Sequence, residues 1–125
     1  MATLYLAKRL EALRRAQNAD GGWAFEAGKQ HSWLEPTVYA ALALHGEPEA
    51  DRAWDLVRRW QRPDGSWQLA ANVPAANWTT ALGLLLSAVR GAPGGSAREW
   101  LLKAVRGRGW GWKDEPAPAA EPTAW

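Results

Sequence analysis

A pattern that recurs after 44 residues constrains the fold of this chain more than any other feature of its sequence. Residues 17–23 and 61–67 both read Gln-x-x-Asp-Gly-x-Trp, and a degenerate third copy keeps Trp112, 45 residues after Trp67. Periods of about 20 to 50 residues are typical of repeat proteins, in which each unit buries its apolar face against its neighbours. We therefore predict one domain of residues 1–125 built from three repeats: residues 3–46, residues 47–91 and an incomplete repeat over residues 96–125.

Each repeat is predicted to contain two helices. Leu6, Leu10 and Leu13 form one apolar stripe at helical spacing, and the turn that begins at Asp20 ends this first helix. The further helices are predicted over residues 33–45, from Pro48 to the break at Pro63, over residues 78–89, and from Ser96 to Val105.

Amphipathic helices alternate with nearly apolar ones along the chain, which predicts outer helices with a solvent side and inner helices without one. Two helix starts have the residue spacing of a capping box: Ser32 with Glu35, and Ser96 with Glu99. We therefore predict an all-α layered array of about two and a half helical hairpins.

Composition excludes several classes of function. The chain carries 47% hydrophobic residues and 22% charged residues, so it can form a core, and its formal net charge of +2 with interspersed signs argues against nucleic-acid binding. The absence of cysteine excludes disulfides and every zinc or iron–sulfur site that needs sulfur ligands.

Targeting signals are also missing from the sequence. No apolar run approaches the roughly 20 residues of a membrane-spanning helix, and charges interrupt the first apolar segment where a signal peptide would be apolar. These features predict a cytoplasmic protein without a transmembrane segment and leave peripheral membrane association open.

The spacing of the second copy, from Arg52 through Leu56 to Gln61, Gly65 and Trp67, resembles the QW motif of the squalene-hopene and oxidosqualene cyclases. These enzymes belong to the wider terpenoid cyclase and protein prenyltransferase group of α-α toroids, and the resemblance covers the whole chain. It implies a partial toroid with outer and inner helices around an apolar cavity. It also implies a structural, repeat-joining role for these residues: Gln17, Gly22, Trp23, Gln61, Gly65, Trp67 and Trp112.

Catalytic groups of that family are not recognisable here, so whether the chain is an enzyme stays open. There is no acidic D-x-D-D run, which hopene cyclases use to protonate their substrate, and no zinc–thiolate set of the prenyltransferase type. Asp20 and Asp64 are expected to bind the amides of their own turns. His31 and His45 lack the spacing of metal ligands, so neither a metal site nor a cofactor is predicted.

Four residues next to or on the apolar helices are candidates for lining a cavity. Aromatic side chains at these positions stabilise carbocations by cation–π attraction in the cyclases that the sequence resembles. The alternatives are plain core packing for the aromatic residues and a favourable position in the first helical turn for the acid. The candidates are Trp33, Glu35, Tyr39 and Trp78.

Three functions are compatible with these observations. The first is a squalene cyclase-like or prenyltransferase-like protein that handles an apolar, isoprenoid-type ligand. The second is a helical repeat scaffold that binds protein, and the third is carbohydrate binding through exposed tryptophans such as Trp110 and Trp112. Because residues 121–123 repeat the Glu-Pro-Thr of residues 35–37, we expect a fragment whose open edge meets missing downstream repeats or another copy of the chain.

Overall fold

The computed structural model describes residues 2–105, which form five helices and no strand. The helices are α1 (Ala2–Arg15), α2 (Leu34–Ala43), α3 (Pro48–Trp60), α4 (Asn77–Val89) and α5 (Gly95–Lys103). The all-α prediction is confirmed, and the helix bounds agree with those expected to within a few residues. The predictions for Trp110, Trp112 and residues 121–125 lie outside the described residues.

Helix α3 matches its predicted amphipathic pattern. Ala53, Leu56, Val57 and Trp60 are buried, and they recur at the spacing of one helical face. Pro48 occupies the first position of the helix, where its missing N–H has no intrahelical partner to lose.

Helix α1 buries less of its apolar stripe than its sequence suggests. Leu10 and Leu13 are half-buried, but Leu6, the first residue of the stripe, is 58% exposed. Leu4 and Tyr5 are exposed as well. The first turns of α1 therefore have little of the packing that the stripe predicts.

Both predicted capping boxes are wrong. Helix α2 starts after Trp33, which has extended backbone angles and makes no side-chain cap, while the Ser32 hydroxyl donates to Asp20 Oδ1 over 2.7 Å. Helix α5 starts after Gly94, so Ser96 lies inside the helix and does not cap it. At α2, the Ser32 hydroxyl that a capping box would use is instead hydrogen-bonded to the Asp20 carboxylate.

The described residues divide into two compact units, one up to Val57 and one from Arg58 onwards. The first unit has a core around Trp23, Leu34 and Val38, and the second has a core around Trp67, Leu82 and Leu86. Each core contains the tryptophan of one motif copy together with the helix that follows it. No helix in the described part of the chain is long and apolar enough to cross a membrane.

Candidate functional site

The first motif loop, residues 17–23, is held by hydrogen bonds that reach across its unit. Gln17 Nε2 donates to the Gly21 carbonyl and to the Glu49 carbonyl, both over 2.9 Å. Gln17 Oε1 accepts a bond of 2.7 Å from Arg52 Nη2. The Gln17 side-chain amide thus joins the start of the loop to two residues of helix α3, which lie 32 and 35 positions further along the chain.

Trp23 is the last residue of the first motif loop, and its side chain is buried in the core with 3% of its surface exposed. Its indole N–H donates to the Leu13 carbonyl over 2.8 Å, and its backbone N–H donates to Thr37 Oγ1 over 2.9 Å. The indole therefore satisfies its one donor near the end of α1, while its backbone is tied to α2.

The second motif loop, residues 61–67, has the same arrangement with weaker glutamine bonds. Gln61 Nε2 donates to the Gly65 carbonyl over 3.2 Å and approaches Ser96 Oγ at 3.5 Å. Trp67 is 1% exposed, and its backbone N–H donates to Thr80 Oγ1 over 3.0 Å.

Both loop aspartates bind their own turns, as predicted. Asp20 Oδ1 accepts from the Gly22 N–H, and Asp64 Oδ1 accepts from the Ser66 N–H, each over 2.9 Å. The Ser66 hydroxyl adds a bond of 2.6 Å to the same Asp64 oxygen. Hydrogen bonds from Ser66, the hydroxyl first, hold the pKa of Asp64 below its ordinary value although burial opposes this shift. Both carboxylates are therefore bound within their own motif loops.

The glycine equivalent to Gly65 is Gly21, which is not among the predicted motif residues. Both have a positive φ, +98° for Gly21 and +96° for Gly65. A Cβ on Gly21 would collide with the backbone of Arg52 on α3, and a Cβ on Gly65 would collide with the backbone of Ser96 on α5. Gly22, the predicted residue, has no positive φ but packs directly on Ser32. The 44-residue spacing from Gly21 to Gly65 is the signal that would have identified it.

An aromatic cavity lies beside the first motif loop. It measures about 410 Å³, its wall is almost entirely apolar, and it is lined by Ala24, Phe25, Glu26, Lys29, His31 and Trp33. The Phe25 and Trp33 ring centroids are 5.8 Å apart, and the His31 ring meets Trp33 edge-on at 4.7 Å. We call this set of six residues the aromatic cavity.

Local backbone pairing builds this cavity. The Trp33 N–H donates to the Trp23 carbonyl over 3.0 Å, forming an isolated antiparallel bridge between the two tryptophans. The Phe25 and His31 rings both contact the Trp33 ring next to this bridge. Phe25 and His31 were not predicted as cavity residues from the sequence. Phe25 lies two residues after Trp23 and His31 lies two residues before Trp33, and this closeness to the two tryptophans is the signal that points to them.

Three of the four predicted cavity residues lie in the first unit and one lies in the second. Trp33 lines the aromatic cavity and is half-buried. Glu35 and Tyr39 lie four residues apart on α2, the first half-buried and the second 40% exposed. Trp78 is half-buried near the start of α4, in the second unit. Within residues 2–105 no group of three or more His, Asp or Glu residues could hold a metal ion.

Comparison with known proteins adds a fold relationship. No family model and no curated protein matches the chain. Among solved structures, the apo type II terpene cyclase MstE from Scytonema aligns with a TM-score of 0.62 and 25% sequence identity over 95% of this chain. A single-residue variant of MstE, in complex with its product merosterolic acid A, aligns with a TM-score of 0.64 at the same identity.

These similarities establish a terpene cyclase-like fold for the chain. The chain spans about two fifths of that cyclase, with 39% of the apo structure and 38% of the product complex covered.

Proposed function

We propose that this chain forms part of the wall of a terpene cyclase-like toroid that holds an apolar, isoprenoid-type ligand. The observation that supports this most directly is the aromatic cavity. Its volume of about 410 Å³ lies within the range of small-molecule sites, and its wall combines apolar and aromatic surface with few polar groups. An isoprenoid has apolar branched units and alkenes, which contact aromatic faces favourably.

Exposure of Phe25 also supports a ligand in this cavity. The Phe25 side chain is 59% exposed although it is large and apolar, and its ring lies beside that of Trp33. Exposed apolar surface that is gathered in one concave place is typical of binding sites. Phe25 and Trp33 would provide the contact surface of this cavity. Glu35, Tyr39 and Trp78 are not among its lining residues, and we propose them separately as residues that face the ligand elsewhere in the toroid.

The comparisons support the same proposal at the level of the fold. One of the cyclase structures that align, a variant of MstE, holds its product, merosterolic acid A. Since the chain spans about two fifths of that cyclase, we propose that the remaining toroid helices and any catalytic acid come from outside these 125 residues. The 125 residues themselves carry neither a D-x-D-D run nor cysteine for a zinc–thiolate site.

Carbohydrate binding by the motif tryptophans has less support. Sugar rings stack on exposed indoles, whereas Trp23 and Trp67 are almost completely buried and hydrogen-bonded within their units. Protein binding by a repeat scaffold stays an alternative, since Leu85 and Val89 leave an exposed apolar stripe on α4. No feature of that stripe identifies a partner.

A binding experiment tests the proposed function. The 125-residue chain is titrated by calorimetry with farnesol, a fifteen-carbon isoprenoid alcohol, and with the straight-chain alcohol pentadecanol. We expect farnesol to bind more tightly, and we expect Phe25→Ala to weaken farnesol binding about tenfold, since losing the apolar contact of a phenyl ring costs roughly 1.5 kcal/mol. Leu102→Ala, at an exposed position on α5, is the matched control and should leave binding unchanged. Equal affinity of the parent and Phe25→Ala for farnesol would refute the proposal.

A further inference from the structure

The two motif loops pack on helices at equivalent positions of the repeat. In the first unit, Gly21 lies against the backbone of Arg52 on α3, and Arg52 Nη2 donates to Gln17 Oε1. In the second unit, Gly65 lies against the backbone of Ser96 on α5, and Ser96 follows Arg52 by 44 residues. Each loop therefore meets a helix at the same place in the 44-residue period.

A small, buried residue comes directly after each of these contact points. The two residues are Ala53 on α3 and Ala97 on α5, and both are 0% exposed. The first loop also reaches Leu56, one helical turn after the contact point, because a Cβ on Gly22 would collide with the Leu56 side chain. The loop thus contacts α3 on both sides of Ala53, and a larger side chain at this position would occupy the space in which the loop packs.

Helix α1 occupies the same place in the period, but it carries Arg9 where α3 and α5 carry the buried alanines. The Arg9 side chain lies on Tyr5: its Nε donates to the Tyr5 hydroxyl over 3.0 Å, and its guanidinium carbon lies 5.0 Å from the centre of the Tyr5 ring. Tyr5 is the equivalent of Glu49, whose carbonyl accepts a bond from Gln17. The Arg9–Tyr5 pair therefore covers the face of α1 that corresponds to the loop-binding face of α3.

We infer that Ala53 and Ala97 allow a motif loop to dock on the first helix of a repeat, and that Arg9 closes α1 to the loop of any further repeat. A loop docked on α1 would have to bury the Arg9 guanidinium, which is unfavourable without an anionic partner. The motif aspartates are poor partners, because Asp20 and Asp64 are bound to the amides of their own turns. In the proposed toroid, further repeats would then join this chain elsewhere than at this face of α1.

An added repeat tests this inference. A copy of residues 3–46, which span one 44-residue period, is joined directly to residues 3–125, so that Gln17 of the copy precedes Lys8 by 35 positions, as Gln17 precedes Arg52. We expect thermolysin to cut the copy rapidly, because its loop finds no site on α1 and stays open to cleavage. With Arg9→Ala in the α1 that follows the copy, cleavage should be about tenfold slower, since the loop can then dock without burying a charge.

Arg15→Ala is the matched control in the same α1. Arg15 is an exposed arginine of this helix, and its equivalent on α3, Arg59, is exposed as well. The control should leave the rate of cleavage unchanged. Urea denaturation provides a second measurement, because a docked copy should unfold together with its neighbour in one transition that depends more steeply on urea. We expect that change in slope only with Arg9→Ala.

The inference is wrong if the copy is cut at the same rate with arginine or alanine at position 9, whether that rate is fast or slow. It is also wrong if Arg15→Ala protects the copy as well as Arg9→Ala does. No ligand enters this experiment, so these outcomes leave the proposed function to the farnesol titration.

Discussion

Trp67 illustrates how a single residue determines the stability of its unit. It is 1% exposed, and its backbone bonds Thr80 and Thr79 on α4. Trp67→Ala should therefore lower the free energy of unfolding by about 3 to 5 kcal/mol, the range for removing a large buried aromatic side chain. Urea denaturation measures this change, and Phe25→Ala is the exposed control. A Trp67→Ala protein that melts within a few degrees of the parent would contradict a structural role.

Gly83 is not marked by any motif in the sequence, yet it packs against the indole ring of Trp67. A Cβ at this position would overlap the ring of Trp67, so Gly83→Ala should destabilise the protein by about 1 to 3 kcal/mol in spite of the better helix propensity of alanine. Gly95, at the start of α5, has open space where its Cβ would lie. Gly95→Ala should be neutral or stabilising, and thermal melts of the two variants compare the positions directly.

Asp64 should make stability depend on pH in the acid range. Because its pKa is lowered in the folded state, chiefly by the Ser66 hydroxyl, the carboxylate stabilises the fold above its unfolded pKa of about 3.9. This contribution is lost as pH falls through the lower folded pKa. Asp64→Asn and Ser66→Ala should both flatten the loss of stability below about pH 4, measured by urea denaturation across that range. An unchanged pH profile in both variants would show that the pKa is not lowered.

At the scale of elements, the two motif loops differ in how firmly their glutamines hold a helix further along the chain, α3 for the first loop and α5 for the second. Gln17 makes three short bonds, one of them to Arg52, whereas Gln61 makes longer contacts of 3.2 and 3.5 Å and meets Ser96 in the place of Arg52. The first loop thus combines the motif amide with a charged donor from α3.

Gln17→Ala should therefore cost more stability than Gln61→Ala. Losing a hydrogen bond so that a charged or part-buried partner is left unsatisfied lowers the free energy of unfolding by about 1 to 3 kcal/mol, which we expect for Gln17→Ala. For Gln61→Ala we expect a loss of less than about 1 kcal/mol. Equilibrium unfolding of both variants measures the difference. A double variant of Gln17→Ala with Arg52→Ala tests the pairing, since two changes in one contact should be less than additive. Equal costs for the two glutamines would contradict the difference in geometry.

For the whole molecule, the fold is terpene cyclase-like, and the sequence carries neither a D-x-D-D run nor cysteine. We expect the purified 125-residue chain to leave squalene unchanged and to transfer no prenyl group, because proton transfer and metal activation both need positioned residues. Gas chromatography of the extracted lipid measures product against a boiled control. Turnover that survives repurification would overturn this expectation and direct attention to Glu35.

Much of the fold followed from the sequence because its signals are local. The 44-residue period is made of short motif copies, and the face of α3 and the turns at Asp20 and Asp64 depend on residues within about four positions of each other, where helix and turn geometry dictate the neighbours. Trp23 and Trp67 occupy the same position in the two motif copies, and both are buried.

Tertiary structure alone decided which residues meet across longer separations. Gln17 and Arg52 are 35 residues apart, and the Trp33 ring that Phe25 and His31 both contact is paired by its backbone with Trp23. The failed capping box at Ser32 has the same cause, because its hydroxyl had two possible partners and packing brought Asp20 to it. The aromatic cavity could not be read from Trp33 by itself, since its wall depends on a loop path that hydrogen bonds between distant residues select.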